Sequence, residues 1–135
     1  MGGMSGLLGE IDAEQVAQSR LRSPLGLSDA TSKAAKAVLD LGAAYLVGVS
    51  REALVLAGAV SAATGVPVVR AEACPEGPVV LLESVLVTGA GVAGALNALP
   101  SDLGPVIVVA AAGRGEVPLW LETAVDKILV LDPLP

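Results

Sequence analysis

The stretch Val79-Val80-Leu81-Leu82-Glu83-Ser84-Val85-Leu86-Val87-Thr88-Gly89-Ala90-Gly91 decides the fold. It opens, from Pro78 to Leu82, as a short β-branched apolar run of the kind that forms a strand with neither face in water. It closes on two glycines and passes into a helical pattern over residues 91–99 that Pro100 stops. A strand that runs through a glycine bend into a helix is the repeating unit of a layered α/β domain. Free amides at such a helix start, together with the helix dipole, favour a phosphate or carboxylate.

Working outward, four more runs have the same character: residues 45–49, 66–69, 105–109 and 127–131. Between them lie helical stretches. One opens at Ser28 or Asp29 as N-cap and ends at Gly42, and an Ala-rich one covers 51–63 and stops at Gly65. A shorter helix fits Asp12 to Ser19, followed by the linker Arg20-Leu-Arg-Ser-Pro-Leu-Gly26, while Glu116 to Thr123 suits either a helical turn or an irregular cover. The alternation predicts a three-layer α/β/α domain with a mostly parallel sheet of about five strands. We expect a single domain over 1–135, with 1–27 as helix and linker and 28–135 as the core. Small-molecule sites in this architecture lie beyond the carboxyl ends of the strands.

Composition narrows the chemistry. The 135 residues suit one compact core, and 53% are hydrophobic, yet there is one Trp, one Tyr and no Phe, so an aromatic platform for bare bases is not expected. Eight basic against fourteen acidic residues leave a net charge of -6, which offers no counterion-release drive toward nucleic acid. The absence of histidine excludes Ser/His/Asp hydrolysis, Cys/His nucleophilic catalysis and His-based metal sites, and no metal ligand set is assigned. Cys74 is alone and reads as a small packed residue. The apolar windows 53–69 and 84–101 are broken by Gly and Pro and flanked by acids, so no membrane span is expected. The first residues lack a basic segment followed by an apolar one, and the cytoplasm is the expected location.

The deciding stretch also resembles the signature of the type I phosphoribosyltransferases, where an apolar strand runs into two acids, a short apolar segment and Thr-Gly-small-Thr. In that family the acidic pair contacts the ribose hydroxyls of 5-phosphoribosyl 1-pyrophosphate and the Thr-Gly loop wraps its 5-phosphate. The resemblance puts Glu83 and Ser84 at the catalytic pair and Thr88, Gly89, Ala90, Gly91 and Val92 at the phosphate loop, with Ser84 replacing the second acid and Gly91 the second Thr. Upstream, Ala44 to Val60 is similar to the first core strand, pyrophosphate loop and helix, which makes Ser50, Arg51, Glu52 and Ala53 the pyrophosphate loop. Thr64-Gly-Val-Pro-Val-Val and Gly104-Pro-Val-Ile-Val-Val match later strands, so coverage is about residues 28–112. The implied ligand is a phosphorylated ribose or nucleotide, with Mg²⁺ if the chain is active on the pyrophosphate donor.

The departures point to eroded catalysis. Glu52 and Ala53 stand where the family commonly has glycines, and only Arg70 to Gly77 joins the second strand to the signature strand, too short for a long covering loop. Three other readings remain open at this stage. One is a non-enzymatic regulatory or structural module, a homodimer like the favoured reading. A second is an effector domain like the C-terminal domain of pyruvate kinase, which Asp29-Ala-Thr-Ser and the following apolar segment resemble. The third is a nicotinamide fold, from Gly89-Ala-Gly-Val-Ala-Gly94, which lacks an acidic residue closing the next strand.

Overall fold

The computed structural model describes residues 15–114 and 117–134. Helix α1, described over residues 15–22, is followed by α2 (Pro24–Asp40), β1 (Tyr45–Gly48), α3 (Arg51–Thr64), a 3-10 turn (Ala71–Ala73), β2 (Val79–Leu86), α4 (Ala90–Ala98), β3 (Val106–Gly113), α5 (Leu119–Ala124) and β4 (Lys127–Pro133). The four strands form one parallel sheet in the order β1-β2-β3-β4. All eight residues of β2 are buried. Alternate β2 side chains feed two separate cores, as a pleat covered on both faces requires. Val79 and Leu81 pack with Val92 of α4 and Leu121 of α5, whereas Val80 and Leu82 pack with Ala34 and Val38 of α2 and Leu56 and Val60 of α3. The three-layer α/β/α expectation therefore holds.

The strand count does not. Residues 66–69 make only an isolated bridge, Val68 with Leu46, held by Leu46 N–H to Pro67 O at 2.9 Å and Val69 N–H to Leu46 O at 2.8 Å. Pro67 has no amide to extend the ladder upstream, and the chain enters the 3-10 turn just downstream, so the expected fifth strand shrinks to one pairing. That pairing still fixes the topology. It lies on the side of β1 away from β2, so the chain leaves β1 in one direction and returns to add β2 in the other. The reversal makes the crevice between the carboxyl ends of β1 and β2 the switch point of the sheet.

Other boundaries move for local reasons. Helix α2 starts at Pro24, with Ser23 as N-cap accepting from the Gly26 amide at 3.1 Å, and not at Ser28 or Asp29. Proline suits a first helical position, so the expected linker narrows to a break at Ser23. Strands β2 and β3 run to Leu86 and Gly113, beyond the expected ends at 82 and 109, because burial continues past Glu83 on one and along Ala110-Ala-Ala on the other. The stretch around Trp120 resolves as α5 from Leu119. Cys74 is buried, as expected, and burial pushes its thiol pKa upward. No helix among the described residues is long and apolar enough to cross a membrane.

Because Leu81 is fully buried between β1 and β3, Leu81→Ala should cost about 2 to 5 kcal/mol of unfolding free energy, read from the midpoint of urea denaturation.

Candidate functional site

Strand β1 ends at Gly48 opposite Leu82, while β2 continues for four more residues. Val49 makes a last bond to Leu82 O at 3.1 Å before the chain turns through Ser50 into α3. The edge of Glu83 to Leu86 that β1 leaves unpaired thus forms a shelf at the switch point. A cleft of about 200 Å³ opens over it, walled by Ser50 and Glu52, by Glu83 and Ser84, by Thr88 to Gly91, and by Gln18 of α1. Two segments far apart in sequence, both singled out by the resemblance, meet here.

Glu83 is the centre of the cleft. Only 7% of it is exposed, and its Oε1 accepts from the Ser84 amide at 2.8 Å, the Ser50 hydroxyl at 3.2 Å and the Ser84 hydroxyl at 3.3 Å. Among the described residues Oε2 has no donor. A Cβ on Gly91 would stand 2.9 Å from that oxygen and 3.1 Å from the Val49 carbonyl. Gly91, the departure from the second Thr, is thus the residue that lets α4 approach a strand bearing a buried carboxylate. Burial raises the Glu83 pKa above its ordinary 4.5; the Ser84 amide and the two hydroxyls pull it back, and the nearby Glu52 charge pushes it up again.

The loop after β2 is shaped by Gly89, the N-cap of α4, whose φ of 79° is left-handed and disfavours a side chain. A Cβ there would also meet the Trp120 ring at 3.1 Å, so α5 covers one side of the bend. The loop amides divide. Ala90 N–H donates to Thr88 Oγ1 at 3.3 Å, and Ala93 N–H closes the helix on Gly89 O at 2.8 Å. Among the described residues the Gly91 and Val92 amides meet no acceptor. The Val92 side chain itself is fully buried in the core.

The turn into α3 is built otherwise. Ser50 is its N-cap: Ala53 N–H donates to Ser50 Oγ at 3.1 Å and Leu54 N–H to Ser50 O at 3.0 Å, which consumes amides that a pyrophosphate loop would present. Ala53 is fully buried. Glu52 occupies the first turn, where the dipole favours it by about 0.3 to 1 kcal/mol, and it lines the cleft. Arg51 is exposed and lines, with Arg22 and Val55, a neighbouring groove that shares Gln18 and Glu52 with the cleft, so it does not line the cleft itself. Among the described residues, no Lys or Arg lines the cleft.

No three His, Cys, Asp or Glu side chains converge among the described residues. Mg²⁺ is commonly held by one or two carboxylates together with phosphate oxygens and waters. Glu52 and Glu83 therefore suit an ion that arrives with a phosphorylated ligand, not a resident one. Gln18, Val85 and Val87 also line the cleft. The two valines continue the signature strand, but nothing in the sequence marks Gln18, which reaches the site through the docking of α1.

No family model matches this chain, and neither does any curated protein. Solved structures do match. Orotate phosphoribosyltransferase from Aeropyrum pernix is similar with a TM-score of 0.64 and 24% identity, over 79% of this chain and 71% of that one. The chain has the fold of the type I phosphoribosyltransferases. Purine phosphoribosyltransferase from Pyrococcus horikoshii Ot3 is similar with a TM-score of 0.58 and 16% identity, over 80% of this chain and 83% of that one. On this phosphoribosyltransferase fold, the 3-10 turn and its flanks pack Ala71 and Cys74 into the core and supply no long segment to cover the cleft.

Two predictions follow from Glu83. Its raised pKa means that, between the unfolded value and the folded one, the folded chain binds more protons than the unfolded chain. Its contribution is complete below the unfolded pKa and declines as pH rises through the folded pKa. Glu83→Gln should therefore raise Tm relative to the parent at pH 7, with the gap closing toward pH 4, in paired thermal melts. Gly91→Ala should destabilise by about 1 to 3 kcal/mol through overpacking. In a double-mutant cycle by urea denaturation it should cost less in a Glu83→Ala background, which removes the nearer of the two obstructing oxygens.

Proposed function

We propose that this chain binds a phosphorylated ribose in the switch-point cleft and that phosphoribosyl transfer is weak or lost. The observation that carries the reading is the conjunction of Glu83, nearly buried with one undonated oxygen, and the start of α4, where the Gly91 and Val92 amides lack acceptors. In this reading those amides and the Thr88 hydroxyl take the 5-phosphate. Glu83 Oε2 accepts from a ribose hydroxyl, a charge-assisted bond that suits a carboxylate shielded from water. The phosphoribosyltransferase fold of the neighbours supports the ligand class, since both are named as enzymes of phosphoribosyl transfer.

Weak transfer follows from what surrounds the cleft. Ser84 stands in place of a second carboxylate, and the α3 turn keeps its amides for its own cap. No long segment joins residues 66–69 to β2 to exclude water from a reacting centre.

Trp120, the chain's one tryptophan, touches the loop at Gly89 and reports on it. Ribose 5-phosphate or a nucleoside 5′-monophosphate should shift its emission saturably and release or absorb heat in calorimetry. Gly91→Ala should weaken either signal at least fivefold, an effect consistent with about 1 kcal/mol at the loop. Absence of heat and of emission change with all of these ligands, and with the pyrophosphate donor plus Mg²⁺, overturns the reading.

A further inference from the structure

The walls of the cleft differ in charge character. The start of α4 and Thr88 contribute donors, and Glu52, on the first turn of α3, contributes a carboxylate. For a ligand with its 5-phosphate at Thr88 to Gly91 and its sugar over Glu83, the lining left for the anomeric substituent to meet includes Ser50 and Glu52 of the α3 turn. The Ser50 cap has already taken the Ala53 and Leu54 amides, at 3.1 and 3.0 Å, so neither offsets the carboxylate. Arg51, the adjacent cation, lines with Arg22 the neighbouring groove, which shares Gln18 and Glu52 with the cleft, and neither arginine lines the cleft itself. The cleft side of that wall therefore presents a carboxylate, with no lysine or arginine in the cleft lining among the described residues, where an anionic anomeric substituent would lie.

Resting on the proposed binding of a phosphorylated ribose, we infer that Glu52 is a specificity-determining residue. It makes the cleft select ribose 5-phosphates whose anomeric substituent is neutral, a hydroxyl or a base, and reject the anomeric pyrophosphate of the donor. Burial is the main cause of the raised Glu83 pKa, and the smaller upward push from the Glu52 charge is consistent with this arrangement. Repulsion between unit charges a few ångströms apart at a partly wet site is large enough to change affinity by an order of magnitude. Removal of the Glu52 charge leaves Ser50 and Glu83, which hold the other contacts, in place.

The test is a calorimetric comparison of ribose 5-phosphate with 5-phosphoribosyl 1-pyrophosphate at one fixed Mg²⁺ concentration, on the parent chain and on Glu52→Gln and Glu52→Lys. The parent should bind ribose 5-phosphate at least tenfold more tightly than the donor. That preference should shrink at least fivefold in Glu52→Gln and reverse in Glu52→Lys, with thermal melts checking that each variant is folded; if one is not, the other decides. Equal binding of the two ligands by the parent, or a preference that folded variants leave unchanged, overturns the role of Glu52 while the binding site stands. Binding of neither ligand by the parent overturns the proposed function, and this inference with it.

Discussion

The structure depends on a strand whose side chains are all buried. β2 pairs with β3 along its length and with β1 from Val79 to Leu82, with helices over both faces, so each of its eight side chains must be apolar or internally satisfied. Six of the eight meet that demand with hydrocarbon alone; Glu83 and Ser84 do not. The survival of Glu83 requires a constellation of donors, and these come from its own neighbour Ser84 and from Ser50 at the end of the adjacent strand. A buried carboxylate left without them is costly by several kcal/mol. The site is thus assembled by the solvation needs of one residue as much as by the path of the backbone.

The same demand explains the glycine that follows. Helix α4 must leave β2 and fold back over the sheet, and its first turn passes directly against the carboxylate and the Val49 carbonyl. A threonine, the residue that the resemblance leads one to expect there, has no room while Glu83 keeps its present position. The altered loop and the retained acid are therefore one adjustment and not two independent losses. What is left at the loop is a pair of amides without acceptors among the described residues and the Thr88 hydroxyl.

Much of this was legible in the chain itself. Apolar runs of β-branched residues marked β1 to β4, because parallel strands buried on both faces carry that composition, and the glycine bend marked the join between β2 and α4. Polar residues misled at the ends. Glu83 and Ser84 read as the close of a strand, whereas hydrogen bonds made 33 residues apart in sequence allow the strand to pass through them. Residues 66–69 had the composition of a strand, but Pro67 removes the amide that a full ladder needs. The side of the α3 turn on which Arg51 and Glu52 fall is decided by a rotation of one helix about its cap, and the arrival of Gln18 by tertiary docking; neither leaves a pattern in a single sequence.

Ser50 has only one hydroxyl. Its oxygen receives the Ala53 amide while its proton goes to Glu83, so a single side chain is tied at once to the helix beginning at Arg51 and to the middle of the central strand. The two lips of the opening are consequently stitched together at its floor. In the proposed reading, a guest therefore meets two walls that one hydroxyl already ties to each other.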